Sequence, residues 1–471
     1  MVHAGGDVFR YDEDIDLNFQ NPVARAALAF TITGSDGSNP PTSLYFVNYG
    51  KQVQISVRKV PGVTYTITVT APVHYTTTFS TPLANISALT ASSVAPNQPY
   101  RYGILEHPFP GFLNATCSGP GNTAPCALDA TAQHTISELA AVGARFVRID
   151  YNAQGILTDV TGKRLLATPN FAKHDAIIAA LHAQGITELP SILQYAEGSL
   201  LAGGIGYPHA FQWSSSLDPD NASHRVGYAD FAQAVVQHLA ATAPWITRVE
   251  LFNEENLHGW NDIPVAGNVG NDDHTGSEAG RYAYFAYKQI KAIDPSMTVV
   301  GPALATGGWH TDSRKFLTQM YTNISSGSAP INASCRTGVC WDVLDVHNYD
   351  WESPNATKRA GYENQWSIYK QLQTIGNQHG DAFHVMLTEW GFSTAMTASG
   401  YDPQVQALFM AQGMNLALAD PTVDGIVYVN LFNQSCNPTC AGDFWGRTAL
   451  EDANWNRLPA FYTFRKFATG I

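Results

Sequence analysis

Residues 145–151 read RFVRIDY, residues 187–193 read TELPSIL, and between them, at 170–185, lies NFAKHDAIIAALHAQG. The two outer segments are short apolar runs of strand length. The middle one places Phe171, Ile178 and Leu181 on one stripe and stops at Gly185, the spacing that buries one face of a helix before a glycine ends it. The three together form a βαβ unit, and the rest of the chain repeats it. Further candidate strands are RYGILEH (101–107), RVELFNE (248–254), MTVVGPA (297–303), VLDVHNY (343–349), HVMLTEW (384–390) and GIVYVNL (425–431). Candidate helices fall between them, one with Phe231, Val235 and Leu239 on a stripe, another with Tyr282, Ala286, Ile290 and Ile293 before Pro295. A last helix carries Phe461, Phe464 and Phe467. Eight strands, each followed by a helix over roughly 370 residues, predict an α/β fold of the (β/α)8 TIM-barrel type. The rival is an open doubly wound sheet, which usually carries a glycine-rich nucleotide loop after its first strand. This chain has none there.

Upstream the rhythm differs. In VTYTITVT, Val63, Tyr65, Ile67 and Val69 alternate with Thr64, Thr66, Thr68 and Thr70, and KQVQISVRK alternates around Val53, Ile55 and Val57. Period-two strands bury one face and wet the other. Residues 1–95 are therefore expected to form a small all-β sheet or sandwich, Ala95 to Pro99 a linker, and residues 96–471 the barrel. With 45% hydrophobic residues, the 471-residue chain can bury a core of this size, so disorder over most of its length is excluded. A net charge of −13 makes nucleic acid a poor partner, because an acidic surface repels phosphate backbones. No apolar run approaches the roughly 18 residues of a membrane span.

Six cysteines fall in three close pairs, Cys117/Cys126, Cys335/Cys340 and Cys436/Cys440. An even number in close pairs predicts three local disulfides and an oxidising compartment, secreted, extracellular or periplasmic. The first and third pairs follow strands one and eight and should pin loops at the C-terminal face of the barrel. The second precedes strand six and should lie opposite. Seven N-x-S/T sequons are compatible with export.

Function in such a barrel sits where strands end at the C-terminal face. The strand ends here are polar: LFNEENLHGW (251–260) holds Asn253, Glu254 and Glu255, LTEWGFS (387–393) holds Glu389, and RFVRIDY places Phe146, Arg148 and Asp150 on one face. In DVHNYDW, Asp345, His347 and Tyr349 share a face by period two. Glutamates at the ends of strands four and seven face each other across one mouth. Glycoside hydrolysis needs such a pair, one carboxyl protonated for the leaving oxygen and one ionised to attack the anomeric carbon. Trp260, Trp309, Trp351, Trp390 and Trp445 follow strand ends, and aromatic faces suit stacking on sugar C–H surfaces. No G-x-S-x-G or H-E-x-x-H motif is present, and no metal or cofactor is expected.

These motifs, in this order, resemble glycoside hydrolase clan A, the retaining TIM-barrel glycosidases. NEENLHGW is similar to the NEPNLxxFW form of family 39, with Glu255 where proline usually stands, and LTEWGFS and the His-x-Tyr of VHNYD are similar to family 5. The resemblance covers residues 100–469. It implies Glu254 as general acid/base and Glu389 as nucleophile. Asn253 would hold the sugar 2-hydroxyl, Tyr349 would hydrogen-bond the nucleophile, and His347 would bind sugar or orient a neighbour. Arg148 resembles the strand-two arginine of family 5, and its charge would favour an ionised Glu389. Strand eight ends VYVNLFN where the clan often has tryptophan, so Phe432 or Trp445 would floor the sugar site. Simple alternation instead pairs Asn253 with Glu255, and only a departure from regular pleating brings Glu254 to the mouth. The partner expected is an oligosaccharide or polysaccharide. The other readings are a family 5-type endo-glucanase or mannanase and a non-catalytic glycan-binding barrel.

Overall fold

The computed structural model describes residues 7–8, 15–81, 98–106, 113–119, 125–152, 156, 169–193, 228–254, 256, 275–306, 312–321, 335, 339–349, 368–381, 384–394, 401–432, 448–452 and 454–470. The N-terminal part is a β-sandwich. Strands β1 (Asp7–Val8), β3 (Ala29–Gly34), β6 (Thr64–Ala71) and β7 (Tyr75–Ser80) form a sheet of order β1-β7-β6-β3; β2 (Ile15–Asn18), β4 (Thr42–Val47) and β5 (Gln52–Val57) form a second of order β2-β5-β4. The alternation in β5 and β6 puts Val53, Ile55, Val57, Tyr65, Ile67 and Val69 into one core between the sheets, where Tyr65 stacks on Phe79. Their threonine and glutamine neighbours face outward, as period-two patterning requires. The expected boundary at 95/96 lies outside the described residues, but the sandwich and the barrel have separate cores. Arg58 Nη2 donates to the Tyr401 carbonyl between them, at 3.2 Å.

The barrel opens with β8 (Tyr102–Leu105), then a hairpin of β9 (Ala115–Cys117) and β10 (Cys126–Leu128). Strands β11 (Phe146–Asn152), β12 (Thr187–Leu193), β13 (Arg248–Leu251), β14 (Thr298–Ala305), β15 (Val343–His347), β16 (His384–Trp390) and β17 (Val423–Val429) follow. All are parallel, and β17 pairs with β8 to close an eight-stranded barrel. Each barrel strand is followed by a helix, from Ala130–Val142 after β8 to Pro459–Thr469 after β17. Because both faces of every strand are covered, the strands read as nearly continuous apolar runs. Val147, Ile149, Leu344 and Leu387 face the helices, whereas Phe146, Leu189, Val300, Val343, Met386 and Val427 fill the barrel interior. Two residues further along, the inward positions turn polar: Arg148 above Phe146, Ser191 above Leu189, Asp345 above Val343 and Thr388 above Met386. An apolar plug thus carries a charged layer at its C-terminal end.

Two of the three expected disulfides are formed. Cys117–Cys126 links directly opposed residues of β9 and β10, in the connection that leaves the C-terminal end of β8. Cys335–Cys340 is buried, and the Cys335 amide donates to the Met320 carbonyl at the end of helix Ser313–Met320. Barrel helices run back against the strands, so this bond sits at the face opposite the mouth. Cys436 and Cys440 lie outside the described residues. At Gly425, beside Met386 of β16, an added Cβ would overlap the Tyr100 carbonyl oxygen. Gly425→Ala is therefore expected to destabilise the barrel by about 1–3 kcal/mol, since neither backbone can yield. A lowered thermal midpoint by circular dichroism checks this; an unchanged midpoint contradicts the packing described.

Candidate active site

The charged layer is organised by Arg148 of β11, whose side chain is fully buried. Its Nε donates to both Glu250 carboxylate oxygens, at 2.9 and 2.7 Å, and its Nη1 donates to Glu389 Oε1 at 2.7 Å. Nη2 donates to Asn253 Oδ1 at 2.9 Å, to Ser191 Oγ at 3.1 Å and to Glu250. A guanidinium has five donors in a fixed plane, and here they hold side chains from β12, β13 and β16 in one arrangement. Tyr349 donates its hydroxyl to Glu389 Oε2 at 3.0 Å. His347 Nδ1 lies 3.0 Å from Glu254 Oε1 and 3.4 Å from Glu389 Oε2. One oxygen of each of these two glutamates and a ring nitrogen of His347 all lie within 4.8 Å of one another.

The two glutamates arrive by departures from regular pleating. Strand β13 ends at Leu251, three residues before the end that the sequence predicts. Phe252 and Glu254 then adopt left-handed conformations, with φ of 73° and 58°. The first turns the Phe252 ring outward onto Tyr228, at 4.8 Å between centroids. Asn253 and Glu254 both point to the mouth as a result. Such conformations cost of order 1–3 kcal/mol each. Neighbouring bonds hold them: the Glu254 amide donates to the Ala303 carbonyl at 2.8 Å, and Phe252 N donates to Tyr228 Oη at 3.1 Å. Asn256 fastens the outgoing chain by exchanging two hydrogen bonds with the backbone of Ala305. In β16 the pairing register shifts between Leu387 and Trp390. Thr388 and Glu389 both face inward there, and Trp390 turns out.

Environment separates the two carboxyls. Burial pushes Glu254 up to about 7, opposed by the charge of Arg148. Glu389 carries the arginine and tyrosine donors directly. Burial pulls His347 down to about 4, so its imidazole is neutral at ordinary pH and carries one proton. Nδ1 is the nitrogen between two carboxyls, which assigns that proton to it.

Arg148, Asn253, Glu254, His347, Tyr349 and Glu389 are therefore brought together at the C-terminal end of the barrel. Trp390 is a correction: it is 1% exposed, packed edge-on against Phe392 and Tyr428 in the outer layer, and offers no stacking surface. Phe432 is 6% exposed and stacks on Trp455 at 3.7 Å, so that ring face is taken. Trp260, Trp309, Trp351, Trp445 and Glu255 lie outside the described residues. Sequence reasoning missed Glu250 as the principal partner of Arg148. A lone acid in the buried strand RVEL was the signal, because a charge there demands a counter-charge. Glu250, Asp345 and His347 could also crowd a cation, as could Glu254, His347 and Glu389. Arg148 already places its positive charge against Glu250 and Glu389, and a metal ion would be repelled by it.

No family model matches the sequence, and no curated protein does. Among solved structures, a family 39 glycoside hydrolase from Bacteroides cellulosilyticus superimposes with a TM-score of 0.50 at 16% identity, over 100% of this chain and 82% of that one. A family 39 β-xylosidase from Caulobacter crescentus gives 0.49 at 18%, over 80% of this chain and 72% of the other. The first likeness extends over the N-terminal sandwich, beyond the residues 100–469 that the motifs cover. It places the chain in the TIM-barrel fold with an added β-sandwich.

Proposed function

We propose that this protein is a retaining β-glycosidase, acting on a neutral glycoside in an oxidising compartment outside the cytoplasm. The observation that carries the reading is the close approach of Glu254 and Glu389, oxygen to oxygen within 4.8 Å, in opposite electrostatic settings. Retaining enzymes hold their carboxyls about 5–5.5 Å apart, whereas inverting ones leave about 6.5–9.5 Å for a water. In the first step a Glu389 oxygen bonds to the anomeric carbon as the glycosidic C–O bond breaks, and the Glu254 proton passes to the departing oxygen. In the second, Glu254, now ionised, takes a proton from water. That water's oxygen bonds to the anomeric carbon, and Glu389 leaves as a carboxylate. Arg148 and Tyr349 stabilise Glu389 as an anion before attack and after release. His347 donates from Nδ1 and holds the acid beside the nucleophile, and Asn253 holds the sugar 2-hydroxyl.

The family 5-type endo reading shares this chemistry and differs in cleft shape. A purely glycan-binding barrel has no need of one carboxyl raised toward neutrality beside one bound to arginine. The test is a panel of aryl β-glycosides with neutral sugars. Turnover of at least one, lost in the Glu254→Ala/Glu389→Ala double variant, is expected; no turnover across the panel would favour the binding reading.

The pH dependence follows from Glu254. The acid works in its protonated form, and its raised value of about 7 keeps it protonated below neutrality. kcat/KM is therefore expected to fall as pH rises through about 7, tenfold per unit. A profile flat to pH ~9 would remove Glu254 as the proton donor.

A further inference from the structure

Beneath the two glutamates lies a group that double displacement leaves unused. Glu250 and Asp345 are both fully buried, and one oxygen of each lies with a His347 nitrogen inside a 4.8 Å cluster. Arg148 faces them from β11, Ser191 from β12, His347 from β15, and Thr388 and Glu389 from β16; Asp150 and Glu254 add charge or proton affinity from the rim. Glu250 is fully served as an anion, with Arg148 on both oxygens and Ser191 Oγ donating at 3.2 Å. Asp345 is not. Its Oδ1 accepts from Thr388, but its Oδ2 meets no donor among the described residues. A buried carboxylate oxygen without a donor is costly. A proton on Oδ2 removes that cost, because it makes the oxygen a donor with the Glu250 carboxylate beside it.

We propose that Asp345 is a neutral carboxylic acid whose proton is held against Glu250, so that the pair presents one negative charge to Arg148 and positions it for Glu389. Both are positioning residues, since neither touches substrate or the reacting atoms. With one charge on the pair and one on Glu389, the guanidinium is shared between two anions. A third charge on Asp345 would draw Arg148 inward and raise the proton affinity of Glu389 and Glu254 alike. Burial and the neighbouring Glu250 charge both push Asp345 well above the ordinary carboxylate range, in keeping with this count.

Two isosteric variants separate the alternatives. This kinetic arm rests on Glu254 being the acid whose ionisation sets the basic limb of kcat/KM. Glu250→Gln removes a negative charge from beside that acid, so the limb should move to lower pH by about one unit. Asp345→Asn exchanges a neutral acid for a neutral amide that still donates to Glu250, so the limb should stay within about 0.3 unit. Equal shifts in both variants would place a charge on Asp345 and overturn the proposal. A shift in Asp345→Asn alone would place the negative charge on Asp345 and overturn it too.

The second arm needs no turnover. Infrared spectra of the wild type at neutral pH should contain a protonated-carboxyl C=O band that the Asp345→Asn difference spectrum removes. Subtraction is needed because burial also pushes Glu188 and Glu451 up to about 8. No such difference band would refute the shared proton even if Glu250→Gln failed to fold. A difference band in a protein inactive on every glycoside would uphold it while sinking the glycosidase reading.

Discussion

Glu389→Gly is expected to lower kcat on an activated aryl β-glycoside by about 10⁵-fold or more, the scale on which loss of a covalent nucleophile is felt. Two groups lose their partner at once, since Arg148 Nη1 and the Tyr349 hydroxyl both end on this carboxylate. Arg148 keeps Glu250, so its charge stays compensated and the barrel should still fold. The vacated space lies under the face of the sugar that the carboxylate would attack. Added azide should enter it and give an α-glycosyl azide in a single displacement, with Glu254 still supplying the proton. Mass balance and NMR of the azide product check this. Activity within about tenfold of wild type would remove Glu389 as nucleophile.

Glu254→Ala should behave in the opposite sense. Loss of a general acid costs about 10²–10⁴-fold where the leaving group needs the proton, and little where the leaving group is an acidic phenol. Substrates with poor leaving groups should therefore suffer most. With an activated substrate the glycosyl-enzyme still forms and then waits for a base, so azide should release it as a β-glycosyl azide. Glu255→Ala should retain substantial activity on both substrate types. If Glu255→Ala instead shows the leaving-group dependence and the azide rescue, the acid is misassigned by one residue. The backbone favours Glu254, because the left-handed φ at Phe252 and Glu254 breaks the alternation that would otherwise pair Asn253 with its second neighbour.

Where the backbone is regular, its consequences were legible in the residues. Period two in β11 carried Phe146 and Arg148 inward, and the same period in β15 set Asp345 and His347 on one side, with Tyr349 beyond the strand. The alternation of Val63, Tyr65, Ile67 and Val69 was enough to find the sandwich core. Where the backbone is irregular, alternation misled. It would send Glu389 outward with Val385 and Leu387, and the register shift in β16 reverses that. The same shift turns Trp390 into the outer layer, away from the sugar contact expected of it. Left-handed residues and register shifts are set by tertiary bonds, such as Glu254 N to Ala303 O, and a single sequence does not display those. Glu250 was hidden differently. Its position on β13 could be read, but its ion pair with Arg148 joins strands two and four across the barrel.

Double displacement at Glu254 and Glu389 fixes the anomeric configuration of the first-formed sugar. An aryl β-glycoside that the enzyme accepts is hydrolysed in an NMR tube, and the anomeric proton of the released sugar is followed before mutarotation scrambles it. The β-anomer is predicted to appear first, because two inversions restore the starting configuration. Initial release of the α-anomer would mean a single inversion, and would contradict both the covalent role of Glu389 and the reading of the two carboxyls as a retaining pair.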